Sequence, residues 1–179
     1  ADGADTLDGG AGNDGMTGGD GDDVYLVNAA GDIVVESVGG GTDTVQSAIS
    51  YKLGADVENL TLAGSAAING NGNSGNNLIA GNGAANRLDG GEGDDILRGA
   101  AGNDTLTGGL GSDSFVRVLA SDGRDSITDF TLGPGGDSLD IGDLLTGYDA
   151  ADDAAEFVQL VVSNGNTIVR IDANGSTGG

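Results

Sequence analysis

The chain has 179 residues, 29 acidic and 6 basic, with 37 glycines, one proline and no cysteine, histidine or tryptophan. A formal charge of -23 argues against nucleic acid, whose phosphates need Lys and Arg, and against an anionic membrane surface; no apolar run approaches spanning length, so no membrane insertion is expected. Without cysteine or histidine there is no disulfide framework and no thiolate or imidazole metal site, which leaves carboxylate and backbone oxygen, ligands that suit Ca²⁺.

Such a glycine-rich, acidic composition ordinarily goes with disorder, yet the apolar residues are regularly placed. Ala1 lies in the middle of a repeat and the chain stops at Ser176-Thr177-Gly178-Gly179 without a closing element, which reads as a fragment of a longer protein. A nine-residue period governs residues 1–26. Gly9-Gly10-Ala11-Gly12-Asn13-Asp14-Gly15-Met16-Thr17 runs straight into Gly18-Gly19-Asp20-Gly21-Asp22-Asp23-Val24-Tyr25-Leu26, and Gly3, Asp5 and Leu7 end a preceding copy. Residues 27–71 match no full repeat; Ile33-Val34-Val35, Thr44-Val45, Ala48-Ile49 and Leu60-Thr61-Leu62 read as short strands between Gly/Asn turns. The eighth-position residues Leu7, Met16, Tyr25 and Val34 keep one phase with Ile79 and its successors. That predicts a solenoid continuing through an irregular middle, with a separate insertion as the alternative.

Residues 72–116 form a second repeat block. Two weaker copies carry Asn77 with Ile79 and Asn86 with Leu88, and copies from Gly90, Gly99 and Gly108 carry acids Asp95, Asp104 and Asp113 with Leu97, Leu106 and Phe115. In residues 117–179 the period ends. Asp125-Ser126-Ile127-Thr128-Asp129-Phe130 and Gly136-Asp137-Ser138-Leu139-Asp140-Ile141 are expected to cap the stack, because an open end would expose apolar side chains and strand edges. Asp125 and Asp129 are candidates for one more ion, or solvated loop acids. Phe157–Val162 and Thr167–Ile171 flank Ser163-Asn164-Gly165-Asn166, a hairpin signal.

Glycines at the first, second and fourth places permit positive φ and close backbone approach, so six residues can reverse direction; the next three form a minimal strand with its middle side chain inward. Two repeats close a flattened coil, so residues eighteen apart lie one sheet spacing apart, about 4.8 Å. This stacks Asp5 near Asp23, Asp14 near Asp32 and Asp95 near Asp113. Like charges that close repel by about 1 kcal/mol in water and by more in a packed turn, whereas a divalent cation between coils converts repulsion into attraction. One large apolar residue per nine ordered backbones is a thin core, so folding is expected to be coupled to calcium.

The pattern G-G-x-G-x-D-x-U-x resembles the calcium-binding repeat of the RTX (repeats-in-toxin) family. The resemblance implies an all-β fold, a right-handed parallel β-roll with a C-terminal capping β segment. It also implies Ca²⁺ held by turn carbonyls and sixth-position aspartates, export by the type I secretion machinery, and a secreted or cell-surface location. The family's ligands fall on Gly9, Gly10, Ala11, Gly12 and Asp14, and on Gly18, Gly19, Asp20, Gly21 and Asp23. In the second block they fall on Gly90, Gly91, Glu92, Gly93 and Asp95, on Gly99, Ala100, Ala101, Gly102 and Asp104, and on Gly108, Gly109, Leu110, Gly111 and Asp113. Gly3, Asp5 and Asp32 join them from the partial copies, as does Asn77, although a neutral amide binds Ca²⁺ more weakly. Ala84 and Ala100 replace glycine and are expected to distort their turns. The tail is similar to the family's secretion-target region.

A catalytic module is the weaker expectation. Arg87, Arg98 and Arg117 beside a bound Ca²⁺ would suit a uronate, but every well-placed acid is already explained by metal binding. Binding of a polysaccharide or cell surface, as in adhesins or alginate epimerase-like proteins, is the main alternative to a folding and export module.

Overall fold

The computed structural model describes residues 2–116 and 123–141 and the strand backbones of 158–163 and 166–171. Its strands, in chain order, are β1 (Thr6–Asp8), β2 (Gly15–Thr17), β3 (Val24–Val27), β4 (Ile33–Val35), β5 (Thr44–Ser47), β6 (Tyr51–Lys52), β7 (Asn59–Leu62), β8 (Gly70–Asn71) and β9 (Leu78–Ala80). They continue with β10 (Arg87–Glu92), β11 (Ile96–Arg98), β12 (Thr105–Leu110), β13 (Ser114–Val116), β14 (Ser126–Ile127), β15 (Ser138–Asp140), β16 (Val158–Ser163) and β17 (Asn166–Ile171). No helix occurs among the described residues. Odd-numbered strands from β1 to β15 pair in sequence order into one eight-stranded sheet, and even-numbered strands form a five-stranded sheet from β6 to β14 and the pair β2–β4. Every one of these pairings is parallel, so the chain is a β-solenoid.

Register shows why three-residue strands suffice. Leu7, Tyr25, Val45, Leu60, Ile79, Leu97, Phe115 and Leu139 stand one above the next, and Leu88, Leu106 and Ile127 do the same on the other sheet. Their outward neighbours are largely exposed, as in the exposed–buried–exposed strands of Met16 and Leu97. The core is therefore a column one or two side chains wide, built by stacking rather than by layers.

The middle belongs to the same sheet, because β5 and β7 lie between β3 and β9. Its coils are uneven: equivalent backbone groups are 20 residues apart from Asp23 to Asp43, 15 from Asp43 to Glu58 and 19 from Glu58 to Asn77. Together these span as many residues as three regular coils of 18, so the nine-residue phase survives a stretch that contains no repeat. Ala48-Ile49, expected as a strand, is a bend instead. Ser47 Oγ donates to Ile49 O (2.8 Å) and accepts Ile49 N–H (3.3 Å), a local pairing that competes with a ladder, and the strand forms at Tyr51–Lys52.

At the far end β14 and β15 close the two sheets, and Phe130 packs on Phe115 with ring centroids 5.9 Å apart. β16 and β17 pair antiparallel from Val158↔Ile171 to Ser163↔Asn166, which is the expected hairpin. Arg117 lies outside the described residues.

Candidate metal centre

Acids that precede each strand form a ladder from coil to coil. Asp5 N–H donates to Asp23 Oδ1 (2.7 Å), Asp23 N–H to Asp43 Oδ1 (2.8 Å) and Asp43 N–H to Glu58 Oε2 (2.8 Å). Farther along, Asn77 N–H donates to Asp95 Oδ1 (2.7 Å), Asp95 N–H to Asp113 Oδ1 (3.0 Å) and Asp113 N–H to Asp137 Oδ1 (2.9 Å). Turns leading into the alternate strands repeat the arrangement: Asp14 N–H to Asp32 Oδ1 (3.1 Å), Asn86 N–H to Asp104 Oδ1 (2.8 Å) and Asp104 N–H to Asp125 Oδ1 (3.1 Å). The stacked acids are thus joined through backbone amides, and one oxygen of each accepting carboxylate is taken up.

The second oxygen decides the chemistry. Oδ2 of Asp14, Asp23, Asp43, Asp95 and Asp113 is buried and accepts no hydrogen bond. A buried, unpartnered carboxylate oxygen costs several kcal/mol unless a cation faces it. The first-position glycines make room for this atom. A Cβ on Gly18, Gly90 or Gly108 would overlap Oδ2 of Asp23, Asp95 or Asp113, and one on Gly90 would also meet Gly108 O of the next coil. Positive φ is confined to the second and fourth places, as at Gly91 (110°) and Gly93 (106°), so the expectation for the three glycines divides between steric room at the first place and backbone conformation at the other two. Ala100 keeps its turn by adopting φ 65° itself. Carboxylate and carbonyl oxygens facing the same gap, with no nitrogen or sulfur donor, fit a hard divalent cation such as Ca²⁺.

Electrostatics agree. Burial, the largest cause, pushes the Asp95 carboxyl up to about 7, with the charges of Asp113, Asp94 and Asp89 adding to it and the Asn77 N–H opposing it. Burial likewise raises Asp43 and Asp113. Asp32 is lowered instead, because the N–H groups of Ala29 (3.0 Å) and Asn28 (3.1 Å) donate to its Oδ2. That carboxylate closes its own turn.

Asparagine turns solve the same problem with an amide. Asn77 Oδ1 accepts Asn73 N–H (2.8 Å) while its Nδ2 donates to the carbonyls of Val57 (3.1 Å) and Glu58 (3.2 Å). Asn86 Nδ2 donates to Ile68 O (2.7 Å), Asn82 Nδ2 to Ala66 O (2.9 Å), and Asn73 Nδ2 to Gly54 O (2.7 Å) and Val57 O (2.8 Å). Asn77, Asn82 and Asn86 are all buried.

Of the remaining candidates, Ala11, Asp20, Glu92 and Leu110 are exposed, the last two at the ends of β10 and β12, and the carbonyls of Asp20 and Leu110 accept the N–H groups of Gly3 (2.5 Å) and Gly93 (2.8 Å). Asp129 stands outside the ladder, its two oxygens accepting Gly108 N–H (3.0 Å) and Gly109 N–H (2.8 Å). The sequence reading missed Asp43, Glu58 and Asp137 as ladder members. Each stands two residues before an inward apolar residue (Val45, Leu60, Leu139), the same offset as Asp23 to Tyr25, and that signal is visible without any glycine pattern. It also missed a second ladder at the fifth place. There Asn76 Oδ1 accepts Asp94 N–H (2.9 Å), Asp94 Oδ1 accepts Ser112 N–H (2.8 Å) and Asn103 Oδ1 accepts Arg124 N–H (2.9 Å). These bonds run in the opposite sense to the sixth-place ladder and brace each turn from both sides.

A parallel solenoid whose turns stack carboxylates over glycine gaps defines a cation-binding repeat module. The family model of the RTX calcium-binding nonapeptide repeat (4 copies) matches residues 1–34, 71–106 and 80–115, so these stretches carry repeats of that kind. It is also similar to the endo-1,3-1,4-beta-glycanase ExsH of Rhizobium meliloti (strain 1021), 40% identical over 86 residues that make up 42% of this chain and 18% of the glycanase.

Proposed function

We propose that this chain is a calcium-ordered module of a secreted protein, exported by type I secretion machinery and folding where calcium is plentiful, so that it aids export of an attached passenger or stabilises it. The observation that carries the reading is the set of buried second oxygens on Asp14, Asp23, Asp43, Asp95 and Asp113, which have no partner in the protein. Ca²⁺ would be held by these carboxylates and by turn carbonyls, and would neutralise charge that otherwise opposes compaction. Asp125 and Asp137 extend the ladder into the cap, where Asp137 Oδ2 already accepts Thr131 N–H (2.7 Å). Asp129 is left out because it stands outside the ladder, its oxygens accepting Gly108 N–H and Gly109 N–H. Asn77 is excluded as well, since its amide already bonds the groups a cation would bridge. The module itself performs no catalysis, because its well-placed acids serve the ladder.

Far-UV circular dichroism during calcium titration of chelator-treated protein, with Mg²⁺ as control, tests this. A large gain of β signal with calcium alone is expected. A full β signal in excess chelator would refute metal-driven folding.

A further inference from the structure

One carboxylate cluster among the described residues includes an acid, Glu36, that lies outside the nine-residue pattern. The turn between β4 and β5, Glu36-Ser37-Val38-Gly39-Gly40-Gly41-Thr42-Asp43, is longer than the six-residue repeat turns, and the coil that contains it has 20 residues rather than 18. The extra length folds Glu36 back over the Gly18–Asp23 turn. The Tyr25 hydroxyl donates to Glu36 Oε1 and accepts Gly18 N–H (2.7 Å), and Ser37 N–H donates to Glu36 Oε2 (3.2 Å). One carboxylate oxygen from each of Asp23, Glu36 and Asp43 lies within 4.8 Å of the other two.

A cluster of acids alone would not define a site, but two independent features point inward to a ligand. Asp23 and Asp43 are 1% and 0% exposed, and each has a buried Oδ2 with no partner. Asp23 Oδ2 and the Tyr25 hydroxyl also crowd the same point beside Gly18, so this oxygen lies on the Glu36 side of its turn. Carbonyl oxygens converge nearby: a Cβ on Gly40 would stand 2.7 Å from Gly19 O, 3.1 Å from Ser37 O and 3.4 Å from Glu36 Oε2.

We propose that Asp23, Glu36 and Asp43, with the carbonyl oxygens of Gly19 and Ser37, form a three-carboxylate site for one divalent cation of the Ca²⁺ class, with Tyr25 as the positioning residue for Glu36. The proposal rests on the reading that the solenoid turns bind calcium, and adds a site that the nonapeptide motif does not predict. A repeat turn stacked on its successor offers two acids, such as Asp95 and Asp113; this site offers three, and affinity for Ca²⁺ rises with ligand charge. It is therefore the tightest site of the module. Burial, followed by the charges of Asp43 and Asp23, raises the Glu36 carboxyl in the absence of metal, the direction expected where like charges await a cation.

The chain has three tyrosines and no tryptophan, so Tb³⁺ substituted for calcium reports on sites beside a tyrosine through sensitised emission. The test uses the whole chain, chelator-treated, with calcium stoichiometry measured in parallel. Glu36→Gln should bind one ion fewer, weaken the tightest phase by about tenfold or more and lose most tyrosine-sensitised Tb³⁺ emission. Asp113→Asn should lose calcium without losing that emission. Glu36→Asp, which keeps the charge but shortens the reach, should behave as Glu36→Gln, and Tyr25→Phe, which removes the hydroxyl that holds Glu36, should lower emission and weaken the tightest phase. Wild-type stoichiometry and emission in both Glu36 variants would overturn the site while leaving the repeat-turn sites standing. If wild type binds no calcium at any turn, the functional reading falls with it.

Discussion

Turns of two chemistries hold the same coil. In the flanks, residues 5–43 and 90–137, the atom that precedes each strand is mostly a carboxylate, one oxygen bonded to the coil below and, at Asp23, Asp43, Asp95 and Asp113, the other buried without a partner. In the middle, the amides of Asn73, Asn77, Asn82 and Asn86 donate to carbonyls of the preceding coil, at Gly54, Val57, Ala66 and Ile68 among others. An amide carries both an acceptor and donors, so it closes the turn by itself; a carboxylate carries only acceptors, and a buried oxygen that no N–H reaches, unlike those of Asp32, calls for a cation. On the proposed calcium reading, the solenoid would depend on metal at its two ends and be self-sufficient between them, which would give calcium an ordered template to extend in both directions.

Hydrogen exchange in excess chelator should break or sharpen this contrast most strongly. Backbone amides of residues 59–62 and 78–80 should stay protected while those of 6–8, 24–27, 96–98 and 114–116 exchange freely. At calcium 100-fold above Kd, the flanks should gain about 2.7 kcal/mol per ion and about a hundredfold in protection. Uniform exchange along the chain would abolish the distinction.

Exchanging the two chemistries has the next largest effect. Asn77→Asp removes the donors to Val57 O and Glu58 O and should destabilise metal-free protein by about 1–3 kcal/mol, with calcium restoring part of the loss. Asp95→Asn should reduce calcium binding at its turn and leave metal-free stability equal or higher. Urea midpoints of both variants with and without calcium measure this.

A smaller effect follows from pH. In metal-free protein the Asp95 carboxyl sits at about 7 against an ordinary 3.8, so between these values the folded chain holds a proton that the unfolded chain has released. The stability of the metal-free fold should therefore fall as pH rises from about 4 to about 7, then level off. Calcium must displace that proton, so its affinity should move the opposite way and weaken as pH drops below 7. Urea midpoints in chelator and calcium titrations at pH 5, 6 and 8 should show slopes of opposite sign. The Asp32 turn, where backbone N–H groups lower the carboxyl, should not contribute to that trend.

Least affected is the backbone at Ala100. Its φ of 65° is unfavourable for a residue with a Cβ, and Ala100→Gly should raise thermal stability in calcium by no more than about 1 kcal/mol.

The sequence by itself determined the coil. Glycine spacing, the inward apolar residue and the acid two places before it are local features, and they predicted the stacking of Asp5 on Asp23, Asp14 on Asp32 and Asp95 on Asp113, together with the all-β solenoid. Tertiary structure decided what depends on the coil above and below. It set the uneven middle coils, whose lengths compensate and so keep Tyr25 in line with Ile79 through Val45 and Leu60. It brought Asp43, Glu58 and Asp137 into the ladder from turns that lack the first-place glycine, where Val38, Leu53 and Leu132 stand, and it turned the Asn77 amide toward the carbonyls of Val57 and Glu58. Parallel pairing joins residues a whole coil apart, and coil length is free to vary wherever a turn can lengthen into solvent. Which acid meets which is fixed only when the strands align.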